Sequence, residues 1–190
     1  MTQPSRKTIV ILGAGSLGTA LGNILAGNED MKVILLTIEP DVADSINDQH
    51  INQKYFPGIR LNKNLKATLG EYVIRDADIV FLAIPSVAVV DYVLRNRQYL
   101  NPSAILVNLA KGFGNHNQVI AEHLMELLPN RVCSMKGPAF ARDMIGGSPT
   151  GFTLATGDTE LWSMFGEMCS GTSICLDYTH DVRGVEILSI

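Results

Sequence analysis

The sequence predicts an α/β fold, a doubly wound and mostly parallel sheet with helices on both faces. Three observations carry that expectation. Short apolar, β-branched runs alternate with segments whose apolar residues recur every three or four positions, which is strand–helix alternation. The strand-like runs are apolar throughout, as strands buried on both faces require. The first run leads directly into Gly13-Ala14-Gly15-Ser16-Leu17-Gly18, a glycine-rich turn that opens a helix.

In chain order, residues 8–12 make the first strand. Leu17, Ala20, Leu21, Ile24 and Leu25 then fall at helical spacing, with Gly27 where the residue after a helix end is expected. A second strand is expected over residues 32–37, after which Pro40 opens a helix through Ile46. Residues 49–64 are irregular and polar around one compact apolar group, Tyr55-Phe56-Pro57-Gly58. Further buried strands are expected at 79–84, 104–109 and 132–135, with helices at 87–97 and 118–128 between them. Two more strands, 150–155 and 173–177, flank a helix at 159–168. Right-handed crossovers would join them. Residues 1–180 read as one domain, and residues 181–190 as the opening of a further helix.

Composition narrows the function classes. Fifteen Lys and Arg against nineteen Asp and Glu leave a net charge of −4, which argues against nucleic acid or an anionic membrane as partner. The apolar run at residues 79–84 is far short of the roughly 20 residues that span a bilayer, and no apolar segment precedes the first strand to act as a secretory signal. Cys133, Cys169 and Cys175 lack C-x-x-C spacing and read as reduced, mostly buried thiols in a reducing compartment. The four histidines form no ligand spacing, so no metal is expected.

The glycine turn carries the chemistry. Gly13 would allow the tight turn, Gly15 would let a pyrophosphate approach the backbone, and Gly18 would let helix and strand pack closely. The helix N-terminus supplies free N–H groups and the positive end of its dipole to the phosphates. Glu39 stands near the end of the second strand, where an acidic residue binds the ribose 2′-OH of NAD. It could equally be a charge at the start of the helix beside Pro40. Residues 37–45 offer no Arg or Lys for the 2′-phosphate of NADP, so NAD is favoured over NADP. Three later strand ends converge on the same rim. Residues 79–84 end in Pro85-Ser86, where a serine helix cap is expected. Residues 104–109 end in Ala110-Lys111-Gly112, and residues 132–135 in Lys136-Gly137-Pro138-Ala139-Phe140-Ala141. A lysine at such a strand end can hold a phosphate or polarise a carbonyl.

Together these segments resemble the NAD(P)-dependent glycerol-3-phosphate dehydrogenases. The resemblance runs from Gly13–Leu21 through Asn52-Gln53-Lys54-Tyr55-Phe56-Pro57-Gly58, Ile84-Pro85-Ser86, Lys111-Gly112, Gly137-Pro138-Ala139-Phe140-Ala141 and Pro149-Thr150 to Asp181-Val182-Arg183-Gly184-Val185-Glu186. It implies a Rossmann-type domain followed by a helical substrate domain. The implied enzyme is cytoplasmic, interconverts dihydroxyacetone phosphate and sn-glycerol 3-phosphate with NAD(H) or NADP(H), and feeds phospholipid synthesis. Ser16 and Leu17 would contact the diphosphate, Ile38 the adenosine ribose, Phe56 the nicotinamide side, and Pro85 and Ala141 the cofactor elsewhere. Lys111 and Gly137 would face substrate, with Lys111 also near the nicotinamide.

Departures from the family pattern bear on substrate. Ala139 occupies a substrate-facing position where the family usually has Ser or Thr, and Lys136 stands where Ser is common. The family's catalytic lysine falls beyond Ile190, so the resemblance implies no catalytic residue within these 190. Leu188-Ser189 replaces a glycine pair and would also suit a non-catalytic dinucleotide-binding module. The Tyr55–Gly58 and Lys111-Gly112 segments argue against a dehydrogenase of the wider 3-hydroxyacid or 6-phosphogluconate type. An apolar surface around Val185, Ile187, Leu188 and Ile190 is expected to be exposed, giving either self-association or a poorly ordered C-terminus.

Overall fold

The computed structural model describes residues 6–189. Its centre is an eight-stranded sheet in the order β3-β2-β1-β4-β5-β6-β7-β8. The strands are β1 (Lys7–Leu12), β2 (Met31–Leu36), β3 (Lys66–Thr68), β4 (Ile79–Leu82), β5 (Ile105–Asn108), β6 (Arg131–Lys136), β7 (Thr150–Ala155) and β8 (Ile174–Thr179). All neighbours pair in parallel except β6 and β7, which run antiparallel.

The helices are α1 (Ser16–Leu25), α2 (Pro40–Asp44), α3 (Ser86–Asn96), α4 (Ile120–Leu127), α5 (Ala141–Ile145), α6 (Thr159–Cys169) and α7 (Val182–Leu188). They divide between the two faces of the sheet. Ile9 and Ile11 of β1, with Val33, Leu35, Phe81 and Val107, pack under α1, α2, α5 and α6. Val10 and Leu12, with Val80, Leu82, Leu106 and Val132, pack under α3, α4 and α7. Alternate residues thus serve opposite cores, which is why the central strands are apolar at every position.

Most expected elements are present, with shifted ends. β3 and α5 were not expected: each is only three to five residues, too short to show a periodicity. The helix begun at Pro40 continues past Asp44 as a wider turn over Ser45–Gln49. Ser86 does not cap α3, contrary to expectation. Pro85 takes the capping position and Ser86 is already the first helical residue, one step too late for its hydroxyl to reach the free N–H groups. Cys133 and Cys169 are buried and burial pushes both thiols up to about 12, whereas Cys175 is exposed.

Candidate functional site

β1 and β4 are neighbours although their connections leave in opposite directions along the sheet. That reversal of strand order opens a crevice at the carboxyl ends, the usual ligand position in such sheets. A cleft of about 960 Å³ lies there, lined by Gly13, Ala14, Gly15, Thr37, Ile38, Glu39, Tyr55, Pro85, Tyr92 and Arg95 among others. A second cleft of about 450 Å³ is lined by Leu17, Lys111, Lys136, Gly137, Ala139, Val185 and Leu188. Leu17, in the first turn of α1, therefore stands between the glycine turn and the second cleft.

Gly13 and Gly18 meet the backbone demands of a tight turn and a close helix–strand approach. Gly13 has φ of 107°, and a Cβ there would lie 2.6 Å from the Ala83 carbonyl oxygen. A Cβ at Gly18 would collide with the Gly13 carbonyl oxygen, so the helix reaches the strand this closely only with glycine. Gly15 faces open space. It is the cap of α1, contributes no side chain to the first N–H groups, and no acidic residue occupies that first turn. That leaves an open cradle around the first N–H groups of α1, with no side-chain cap.

Asn52 holds this turn in place. It is fully buried and its Nδ2 donates to the Ala14 carbonyl at 3.0 Å and to Thr19 Oγ1 at 2.9 Å. Thr19 donates in turn to the Ala14 carbonyl, and Asn52 Oδ1 accepts from the Tyr55 N–H at 3.2 Å. The irregular stretch 49–64 is thereby tied to the glycine turn, a role its polar sequence did not reveal. The Tyr92 hydroxyl, buried in the same cleft, makes no hydrogen bond of good geometry among the described residues; burial first and then the Glu71 carboxylate beside it push its pKa up.

Ile38 is 92% exposed at the cleft mouth. Glu39 follows it, with Lys54 donating to its Oε2 and the Tyr55 hydroxyl donating to its Oε1 at 3.1 Å. The Lys54 bond holds the carboxyl below the usual carboxylate range and raises Lys54 in return. Glu39 begins α2, yet its side chain makes no capping bond; it serves the cleft wall instead. Sequence reasoning confined to residues 37–45 missed Lys54, which returns to Glu39 from 15 positions further on.

The remaining expected site residues divide. Lys111 is exposed in the second cleft beside Gly137 and Ala139, where a Cβ on Gly137 would strike the Gly151 carbonyl oxygen of β7. Ser16 is exposed at the first position of α1, next to the cradle. Phe56 departs from expectation. It is 2% exposed within the core, whereas its neighbour Tyr55 lines the larger cleft beside Glu39. Ala141 is half-buried at the start of α5, packed against the core beside the second cleft rather than within its lining.

Lys136, at the end of β6, is 6% exposed and donates to the Ala110 carbonyl, next to Lys111. Burial pushes it down to about 8; Glu186 opposes that shift and Lys111 adds to it. Glu186 of α7 is itself buried and accepts from Asn108 Nδ2 at 2.5 Å, from the Ser134 hydroxyl and from the Ala121 N–H at 3.3 Å. Arg183 adds a forked contact to Glu122 of α4. These bonds fasten α7 beside the second cleft. Among the described residues, no group of three or more His, Cys, Asp or Glu could hold a metal ion, and no helix is long and apolar enough to cross a membrane.

The strand order and the glycine turn at its reversal define a domain of the Rossmann class. The family model described as the NAD-dependent glycerol-3-phosphate dehydrogenase N-terminus matches residues 8–162, and the chain belongs to that family. Glycerol-3-phosphate dehydrogenases [NAD(P)+] of Leptospira biflexa and Neorickettsia sennetsu are 34% and 29% identical to it. Each alignment covers 94% of this chain but 55% and 54% of the relative. The chain spans about half the length of these curated relatives. Solved glycerol-3-phosphate dehydrogenases of Plasmodium falciparum and Coxiella burnetii share its fold with TM-scores of 0.88 and 0.86 at 21% and 23% identity. They are covered over 56% and 57% of their lengths, against 97% and 98% of this chain.

Proposed function

We propose that this chain is the cofactor-binding half of a cytoplasmic NAD(P)-dependent glycerol-3-phosphate dehydrogenase. Residues 1–180 form the dinucleotide domain, and residues 181–190 begin the helix that leads out of it. The reaction is sn-glycerol 3-phosphate with NAD(P)+ to dihydroxyacetone phosphate with NAD(P)H. Family membership supports the reaction, and the open cradle at Gly15 is the observation that carries dinucleotide binding.

The bound nicotinamide would supply or accept the hydride. This chain's own residues bind and orient. The Gly13–Gly18 turn and the first N–H groups of α1 take the diphosphate, while Ile38 and Glu39 border the adenosine ribose. Lys111 and Gly137, on the second cleft, face substrate, and the Lys111 ammonium would stabilise negative charge forming on the carbonyl oxygen. Ala139 supplies no hydroxyl there. No proton donor for the forming alkoxide is assigned within these 190 residues.

Calorimetric titration with NADH and NADPH, repeated with dihydroxyacetone phosphate, tests this reading. The chain should bind dinucleotide and turn over little or nothing alone. Gly15→Val is the decisive variant. Its side chain enters open space at a cap position, so the protein should stay folded within about 1 kcal/mol of the parent while losing dinucleotide affinity roughly a hundredfold, about 2.7 kcal/mol. Undiminished binding by that variant would remove the diphosphate from the proposed cradle.

A further inference from the structure

We propose that Lys54 admits a 2′-phosphate on the adenosine ribose and that Glu39, with which it is paired, favours a free 2′-hydroxyl. The two side chains together set the preference between NADP and NAD. The inference rests on the dinucleotide reading above and deepens it at one corner of the larger cleft.

Glu39 belongs to two surfaces at once. It lines the larger cleft, and it also lines a shallow depression just outside, together with Asp41, Ser45, Gln53 and Lys54. Both of its oxygens have a donor, Lys54 on one and Tyr55 on the other, and each carboxylate oxygen keeps a further lone-pair site. A ribose hydroxyl that donates to Glu39 would therefore sit one carboxylate away from the Lys54 ammonium.

Consider a phosphate at that hydroxyl. Glu39 and Asp41 would repel it, and among the described residues lining the outer depression Lys54 is the cation. Arg95 stands across the larger cleft on α3. Lys54 is bound to Glu39 only by an exposed pair, with side-chain exposures of 56% and 31%. Such pairs contribute little, so exchanging the carboxylate for a doubly charged phosphate costs little and gains a stronger charge-assisted contact. Ammonium on a four-carbon stem is suited to that exchange. Tyr55 remains on Glu39 in either case, and Asn52 keeps the whole segment registered on the glycine turn.

The test isolates this corner with fragments that end there. The chain is titrated with 5′-AMP and 2′,5′-ADP, then with NADH and NADPH, as wild type, Lys54→Gln, Lys54→Arg and Glu39→Gln. Lys54→Gln should weaken 2′,5′-ADP and NADPH about tenfold and change 5′-AMP and NADH less than about twofold. Lys54→Arg should keep the phosphate arm, and Glu39→Gln should strengthen the phosphate-bearing ligands while weakening the others. Raised salt should shrink these differences. Equal losses for both ligand types in Lys54→Gln, or no loss at all, overturn the inference and leave dinucleotide binding standing. A wild-type chain that binds neither NADH nor NADPH overturns both.

Discussion

Lys136 carries a cation where solvent barely reaches, and the pH dependence of stability follows from that. Its folded-state pKa is depressed to about 8 from an ordinary value of 10.5, because burial penalises the charged form. Below about pH 8 the lysine is charged in the folded and unfolded chains alike, and the cost of burying the charge is fully present. Between about pH 8 and 10.5 the folded chain has lost the proton while the unfolded chain keeps it, so this residue makes stability rise with pH, by roughly 3 kcal/mol in all. Cys133 and Cys169 pull the other way above pH 9, since burial raises both thiols. The difference between wild type and Lys136→Met therefore isolates the lysine. Urea unfolding at pH 7 and pH 10 should show wild type gaining on the variant by about 2–3 kcal/mol at the higher pH. Parallel behaviour of the two proteins would contradict it. That Lys136 would be buried was not legible in the sequence, where it followed a short apolar strand and stood in place of a serine. Its burial comes from tertiary packing around the end of β6, where it donates to the Ala110 carbonyl.

At the scale of the element, α7 depends on one carboxylate. Glu186 accepts from Asn108 of β5, Ser134 of β6 and the Ala121 N–H of α4, so it joins one helix to three other elements. Asp181 caps the same helix through the Gly184 N–H at 2.8 Å. Removing the buried acceptor strands three donors, each of which would have to find water. Glu186→Ala should cost about 3–4 kcal/mol and raise amide hydrogen exchange across Val182–Leu188, while Asp181→Ala should cost about 1 kcal/mol. Exchange in α7 that stays at wild-type protection would show that its apolar contacts suffice. The sequence announced this helix only as an opening over residues 181–190. It did not announce the anchor, because Asn108, Ser134 and Glu186 are up to 78 residues apart.

For the whole molecule, exposed apolar side chains are spread over the surface, Ile38 and Tyr72 among them, and one group lies at α7 and the neighbouring Phe140, where Leu188 lines the second cleft. Leu188 is 87% exposed and Phe140 69%, with Ile187 also exposed; Val185 is half-buried against α7's own core and Ile190 lies outside the described residues. Phe140 was not foreseen as part of that surface. Patches of this kind mark surfaces that pack against other protein. In isolation the chain is expected to self-associate through it. Sedimentation velocity should show concentration-dependent association that Leu188→Glu reduces. A concentration-independent monomer in the wild type would remove this expectation.

The layered α/β fold, the glycine turn and its place after the first strand are all legible in the order of the residues. Those features are local: strand burial on both faces fixes composition residue by residue, and a turn of four to six residues states its own backbone demands. Tertiary structure alone decided which distant side chains meet. It brought Lys54 and Tyr55 to Glu39, set Asn52 under the turn, and buried Phe56 while leaving Tyr55 on the cleft wall. Contacts across an irregular segment leave no period in the chain, since they depend on how a loop without repeating hydrogen bonds is folded back onto the sheet.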